Sequence, residues 1–549
     1  MAEPDVIDAA NPAATIGALS LLPPGHTELP AYYRRLLDSK DEVLRVGAMC
    51  ALIEGKAFSD DLRKTAITLS GYGAVRTRIF GLLMDQGLTS LARDVLAVPF
   101  DEIDTFAEER LRLRLGGDDA GLAALEGRQF LRDGNREHLR HAMLHAEAAG
   151  GWRAAVPWNV RAMMIMPIDG GLAFHLLHYL NEANQLQLLT TAFQIFERGN
   201  LFPTTREIFN ATLQLRKGNA QEALRILGNF RQAAPVADVQ AFIEQLRAKA
   251  SEALGDYRQA YRFYANMNET RRDPSLDRSE LYFQLVRRSE AFRFGSLERD
   301  PRSDCSIMLG FARAGTTLLA NILGSHPDIE ALDEKPSLGT ALGFLDSHSA
   351  GEGDDSAGRA VRQLYYEDLD RHRSEKPAKF VIDKNPMYSA YAGLLKGLFP
   401  EKRHIFVIRD PRDVVVSCFK QDFAANPAME NFRTFAGACR LYDFVMSRWF
   451  AHFTLDDERV CYTWYDKVVT DFENEVRRIL EFLGVDWDPA VLSFAEVAQN
   501  RQALTASYQK IRQGLQIGVQ SQWQNYRFLF DGAKQIEKWV DFFGYEATR

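Results

Sequence analysis

The chain has 549 residues, 46% hydrophobic and 26% charged, with a formal net charge of −8. At about 150 residues per domain this length allows two to four domains. The composition excludes collagen-like, low-complexity and wholly disordered chains. Five cysteines lie scattered, odd in number and never as C-x-x-C, which argues against a disulfide framework or a structural zinc site and favours a reducing compartment. The opening MAEPDVIDAANPAA carries acid where a signal peptide would carry Lys or Arg, and no run approaches 18 apolar residues. A cytoplasmic protein without a membrane span is expected, and the acidic balance gives no global reason to expect nucleic acid.

After an N-terminal tail (1–30), the pattern from 31 to 290 predicts helices almost throughout, with apolar residues recurring at three and four, as in Leu224, Ile226, Leu227 and Phe230. Gly218-Asn-Ala-Gln-Glu-Ala-Leu224 and Gly255-Asp-Tyr-Arg-Gln-Ala-Tyr261 read as copies, 255 − 218 = 37 residues apart, and Gly134-Asn-Arg-Glu-His-Leu-Arg140 is a looser echo. Glycine at a turn followed by alanine on a packing face suits stacked helical hairpins. The period is close to the 34 residues of tetratricopeptide repeats, and the stretch from Gly255 to Arg272 resembles one. Such an array would offer a long surface to a peptide or protein partner.

Linker-like Arg-Asp-Pro segments at 271–275 and 298–303 lead into strands at Cys305–Leu309, Lys379–Ile382, His404–Ile408 and Arg459–Thr463, separated by helical stretches. This alternation predicts an α/β domain over 300–549: a P-loop-like, three-layer arrangement with a mostly parallel sheet. The boundary falls near residue 300.

Gly310-Phe-Ala-Arg-Ala-Gly-Thr-Thr-Leu-Leu319 joins the first strand to a helix, the strand–loop–helix form in which backbone N–H groups and a helix N-terminus face an anion. Gly310 and Gly315 have the spacing of the ATP-binding loop, but Thr316 replaces its lysine, and Arg313 is the loop's one cation. A ligand with less charge than ATP's β- and γ-phosphates fits better, such as a 5′-phosphosulfate. In His404-Ile-Phe-Val-Ile-Arg-Asp-Pro-Arg-Asp-Val-Val-Val-Ser417, Arg409 ends a strand, Asp413 is expected to cap a helix and Ser417 lies in its first turns. Arg409 and Ser417 would converge on one phosphate; the alternative is a structural pairing of Arg409 or Arg412 with Asp410 or Asp413.

Together these segments resemble the 5′-phosphosulfate loop and 3′-phosphate motif of sulfotransferases that use 3′-phosphoadenosine 5′-phosphosulfate (PAPS). Arg313 in place of lysine is similar to the tyrosylprotein and bacterial branch. The resemblance spans roughly Ser306 to Tyr545. It implies phosphosulfate contacts from Gly310, Arg313, Ala314, Gly315, Thr316 and Thr317, and 3′-phosphate contacts from Arg409 and Ser417. Glu334 falls at the family's general base, with Asp333 the adjacent rival; burial would have to raise the pKa of such a carboxylate. Lys384, in Asp-Lys-Asn-Pro, falls where the family's lysine neutralises the bridging oxygen. Tyr465 in Thr463-Trp-Tyr-Asp466 and Ser507 and Arg512 in a late loop would complete the cofactor site. His326 is read as a helix stop.

Departures are Ala314 for a serine, Lys510 for a glutamine and Gln522 before Trp523 for an arginine. Catalysis would rest on Glu334, Lys384 and Arg313, with PAPS as co-substrate. No metal is expected, since no His/Cys/carboxylate cluster has ligand spacing along the chain. The acceptor would bear a hydroxyl: a protein tyrosine, a saccharide or a metabolite. The rival readings are a P-loop kinase and a helical-repeat scaffold with a degenerate nucleotide-binding domain.

Overall fold

The computed structural model describes residues 29–38, 41–69 except 56 and 58, isolated positions between 79 and 113, 118–166, 169–230, 236–272, 279–290, 292, 297, 298, 300, 302–346 except 336, 355–374, 378–494 except 424, and 521–546. Contacts divide the chain into two compact units, Met1–Leu227 and Gly228–Arg549.

The first unit is helical among the described residues: α1 (Leu29–Leu36), α2 (Glu42–Glu54), α3 (Arg63–Leu69), α4 (Asp119–Asp133), α5 (Glu137–Ile165, broken at Gly151), α6 (Gly170–Glu182), α7 (Leu186–Arg198), α8 (Pro203–Arg216) and α9 (Ala220–Leu227). Two of the three echoed glycines turn hairpins here, Gly134 between α4 and α5 and Gly218 between α8 and α9, with φ of 65° and 83°. No described helix is long and apolar enough to cross a membrane.

The second unit opens with the hairpin α10 (Ala237–Ala253) and α11 (Tyr257–Arg271), turned at Gly255, followed by α12 (Ser279–Ser289). The sheet then begins: β1 (Cys305–Leu309), α13 (Thr316–Leu323), β2 (Ile329–Asp333), α14 (Ser337–Asp346), α15 (Asp355–Arg371), β3 (Phe380–Lys384), α16 (Ala392–Leu398), β4 (His404–Ile408), α17 (Pro411–Phe419), α18 (Phe435–Phe450), β5 (Val460–Trp464), α19 (Tyr465–Thr470), α20 (Phe472–Leu483) and α21 (Lys534–Phe542). The order across the sheet is β2-β3-β1-β4-β5, and every pair is parallel.

The strands carry two cores because their side chains alternate. Ile307, Leu309, Val381, Phe406, Ile408 and Tyr462 face one apolar cluster, with Leu395, Trp449 and Trp539. Met308, Ile382, Ile405, Val407 and Cys461 face the other, with Leu319, Ile322 and Ile479. All three of β1, β3 and β4 are buried on both faces, and the buried Asp383–Lys384 pair at the end of β3 is an exception to their apolar character. The C-terminal aromatics Trp523, Tyr526, Phe530, Trp539 and Phe543 pack into the first of these clusters.

The hairpin α10–α11 is fastened to α17. Tyr261, Tyr264 and Met267 pack on Phe419, Asn268 Nδ2 donates to Phe419 O at 2.9 Å, and Arg271 pairs with Asp422 at 2.7 Å. Lys420 pairs with Glu252, which also accepts from Tyr264 and Tyr526.

At the start of β4, His404 is fully buried between Trp449 and Phe453. Burial, and then the charges of Lys402 and Arg459 against the smaller pull of Asp457, push its pKa down to about 3. The unfolded chain, with an ordinary histidine near 6.5, binds a proton that the native state refuses. Stability is therefore expected to fall as pH drops below 6.5, by up to about 1.4 kcal/mol per unit from this group. His404→Phe should flatten that acid limb in urea midpoints measured between pH 6.5 and 4.

Candidate active site at the strand ends

Because all five strands run the same way, their carboxyl ends lie along one edge, where open α/β sheets gather ligands. Across that edge β2 delivers Asp333 and Glu334, β3 delivers Lys384, β1 delivers the loop 310–315, β4 delivers Arg409 and β5 delivers Tyr465. Registers place Asp333 beside Lys384, and Lys384 beside Met308. The chain leaves β1 toward β2 and β3 on one side and reaches β4 and β5 on the other, so the loop sits at the switch point.

The loop needs its glycines. Gly310 has φ 149°, and a Cβ there would lie 2.7 Å from Val407 O. Gly315 has φ 106°, and a Cβ would lie 2.5 Å from Tyr465 Cδ2. Thr316 and Thr317 open α13 and are buried. The Ala314 methyl belongs to the first core cluster, and its N–H turns back to Phe311 O at 3.1 Å. Ser389 fixes the loop's start, accepting from Gly310 N at 3.0 Å and donating to Gly310 O at 2.7 Å.

Arg313 and Arg409 come together above the loop. Arg313 Nε donates to Ser417 Oγ at 3.2 Å, and Arg409 Nη1 reaches Arg313 O at 3.4 Å. Burial lowers the pKa of Arg313; Arg409 lowers it further, while Cys418 and Glu334 oppose. The Arg409 guanidinium lies 4.6 Å from the Tyr465 ring centroid and 3.3 Å from Asp413.

Lys384 is 0% exposed, and its Nζ is 2.6 Å from both Asp333 Oδ1 and Glu334 Oε1. Burial works against its charge, yet the two carboxylates win and hold the pKa above the ordinary value. Glu334 is 43% exposed and Asp333 10%, so Asp333 is the buried member of the pair. Its Oδ2 is buried without a hydrogen-bond partner among the described residues. Tyr388 pins the segment after Glu334, donating to Lys335 O at 3.0 Å and accepting from Leu338 N at 3.1 Å.

Backbone strain marks the same places. In this unit the described non-glycine residues with positive φ are Arg313 (69°), Glu334 (51°) and Ser521 (71°). Each costs on the order of 1–3 kcal/mol, and such outliers gather at functional sites.

Asp413 does not cap α17. The cap is Asp410, which accepts from Arg412 N and pairs with the Arg412 side chain. Asp413, buried one turn in, accepts from Ser521 N at 3.0 Å and Trp523 N at 2.9 Å. It thereby anchors the C-terminal segment, and Trp523 stacks 3.8 Å from Arg412. Burial raises the Asp413 pKa, with Arg409 opposing. Asp413→Ala strips both N–H groups of their acceptor and should cost roughly 3 kcal/mol, read as a lower urea midpoint with a Trp523 emission change.

His326 is a structural histidine: Nδ1 accepts from Asp328 N at 3.0 Å and Nε2 donates to Asp486 O at 2.8 Å. Ser507, Lys510 and Arg512 lie outside the described residues. Ser389, Tyr388 and the anchoring role of Asp413 carried no sequence signal, because each acts on backbone that only the fold brings near.

Residues 307–489 match the sequence model described as "Sulfotransferase family". This stretch, about a third of the chain, is similar to the sulfotransferase family. Among curated relatives, the chain is 25% identical to an uncharacterized protein of Aquifex aeolicus over 53% of this chain and 41% of that one. It is 24% identical to protein-tyrosine sulfotransferase A of Caenorhabditis elegans, over 33% and 50%. It is 28% identical to nodulation protein NoeE of Sinorhizobium fredii, over 37% and 54%. The chain thus spans about half the length of the curated relatives it matches. The matched region contains the loop at Gly310, the carboxylate pair, Lys384, Arg409 and Tyr465.

Proposed function

We propose that this domain transfers a sulfuryl group from PAPS to a hydroxyl acceptor. The observation that carries the reading is the meeting of Arg313 and Arg409, whose charges oppose each other. An Arg409 side chain held on the Arg313 carbonyl, with the two arginine charges close enough to oppose each other beside a glycine-bounded loop and a helix N-terminus, favours a bound anion. Both glycines stand where a Cβ would collide with Val407 O or the Tyr465 ring, so the loop is held tightly against the ends of the neighbouring strands.

Bound PAPS supplies an activated sulfuryl group at one end and a 3′-phosphate at the other. In this reading the loop and Arg313 hold the phosphosulfate, and Arg409 and Ser417 grip the 3′-phosphate. Tyr465 backs Arg409. Lys384 Nζ offsets the charge left on the nucleotide, after loosening from Asp333 and Glu334. Glu334, the more exposed of those acids, takes the proton of the acceptor hydroxyl.

The acceptor is a protein tyrosine, a saccharide or a metabolite hydroxyl; the likeness to a protein-tyrosine sulfotransferase supports the first. A tetratricopeptide-like docking role for the helical region would serve a protein acceptor. The buried thiols of Cys305, Cys418, Cys439 and Cys461, none in a disulfide, support a reducing, cytoplasmic setting. A P-loop kinase would need a lysine where buried Thr316 stands.

Calorimetry with 3′-phosphoadenosine 5′-phosphate, AMP and Mg·ATP tests the reading. Preference for the 3′-phosphorylated nucleotide without metal is the expected result. Preference for Mg·ATP would move the assignment to a kinase, and nucleotide binding without transfer to any acceptor would move it to a scaffold.

A further inference from the structure

The hairpin α4–α5 brings together residues for which the chemistry of sulfuryl transfer has no use. Glu126 and Asp133 are two turns apart on α4, and His138 and His141 are one turn apart on α5, so each pair shares a face. Gly134 folds the two faces onto each other. One ligand atom each from Glu126, His138 and His141 lies within 4.8 Å of the others.

We propose that Glu126, His138 and His141 form a binding site for a zinc-class divalent transition metal. Glu126 is 0% exposed, and its Oε2 lies 2.5 Å from His138 Nδ1 and 3.7 Å from His141 Nδ1. Tetrahedral zinc with bonds of about 2.0–2.2 Å sets neighbouring ligand atoms roughly 3.4 Å apart. The His141 separation is already close to that. The His138 separation opens by about 0.9 Å with a small rotation of the carboxylate. His141 Nδ1 is buried and makes no hydrogen bond among the described residues, which leaves its lone pair for a metal.

The surroundings match the way metal-ligating histidines are held. His138 Nε2 lies 3.1 Å from Asp133 Oδ2, so with Nδ1 on the metal the opposite N–H donates to a carboxylate and the ring is oriented. Arg110 Nε engages the other oxygen of Glu126 at 3.0 Å, which leaves Oε2 as the ligand and balances one negative charge. Two imidazoles and one carboxylate suit Zn²⁺, Co²⁺ or Fe²⁺ and do not suit Mg²⁺ or Ca²⁺, which take oxygen ligands. With three ligands from two successive helices, the ion would staple the hairpin. No spacing along the chain announced this cluster, because Glu126 and the histidines are joined only when the hairpin closes.

The test uses the untagged full chain, stripped with a chelator and titrated with Co²⁺ as a spectroscopic probe and Zn²⁺ by calorimetry. One equivalent of Co²⁺ with visible ligand-field bands, displaced by Zn²⁺ and indifferent to Mg²⁺ and Ca²⁺, is expected. His141, with a side chain 44% exposed, can be changed without unfolding the hairpin, so His141→Gln should lower affinity at least tenfold with unchanged circular dichroism. Asp133→Asn, acting through His138, should lower it by about tenfold. Failure of the wild type to take up stoichiometric Co²⁺ or Zn²⁺, or equal uptake by His141→Gln, would overturn the proposal and leave a plain histidine–carboxylate ion-pair cluster.

Discussion

Replacing Lys384 by methionine is expected to lower turnover by roughly 10²–10³-fold and to destabilise the domain at the same time. The first effect follows if its charge is what offsets the negative charge developing on the nucleotide, since one such group is commonly worth that much. The second follows from the apo geometry. Lys384 is fully buried with Nζ 2.6 Å from Asp333 and Glu334. Its removal leaves Asp333 as an uncompensated buried carboxylate, at a cost of about 3–5 kcal/mol. The two effects are separable. Adding Asp333→Asn removes the stranded charge, so the double variant should regain most of the lost urea midpoint while its turnover stays low. Recovery of turnover along with stability would mean that Lys384 serves the fold alone.

Arg409→Ala should weaken binding of 3′-phosphoadenosine 5′-phosphate by roughly 30- to 150-fold, the value of about 2–3 kcal/mol for a lost charge-assisted contact. AMP, which lacks the 3′-phosphate, should bind nearly as before. The variant should fold, because Asp413 keeps its two backbone donors, Ser521 N and Trp523 N. Arg409→Lys should recover only part of the affinity, since an ammonium cannot present the planar fork. Equal loss of both nucleotides, measured by calorimetry, would show that Arg409 organises the loop through Arg313 O and has no phosphate of its own.

Much of the α/β unit could be read along the chain, for a physical reason. Strands buried on both faces are mostly apolar, and those at Cys305–Leu309 and His404–Ile408 stand where the pattern placed them. The edge strand Ile329–Asp333 was not anticipated. Glu330 and Asp333 interrupt its apolar run, and an edge needs only half the burial. Lys384 and Arg409 could be placed at strand ends, and parallel strands bring such ends together whatever their separation along the chain, whereas Tyr465 was assigned only through the family resemblance. What could not be read is what depends on a partner far away. Asp413 resembled a helix cap because a cap is a local device; its actual acceptor role serves residues 108 and 110 positions on. The pairing of both Asp333 and Glu334 with one lysine is likewise set by strand register.

The hairpin α10–α11 has a practical consequence for anyone cutting this chain. The change of texture near residue 300 invites excision of 300–549 as a free-standing piece. That cut would strip the cover from Phe419 and remove the amide that Asn268 gives to its carbonyl. It would also leave Lys420 and Tyr526 without Glu252 and Asp422 without Arg271. Phe419, Lys420 and Asp422 lie on or just beyond the helix that carries Ser417. A fragment beginning at 228 keeps them, and should stay soluble and bind nucleotide where the shorter one aggregates.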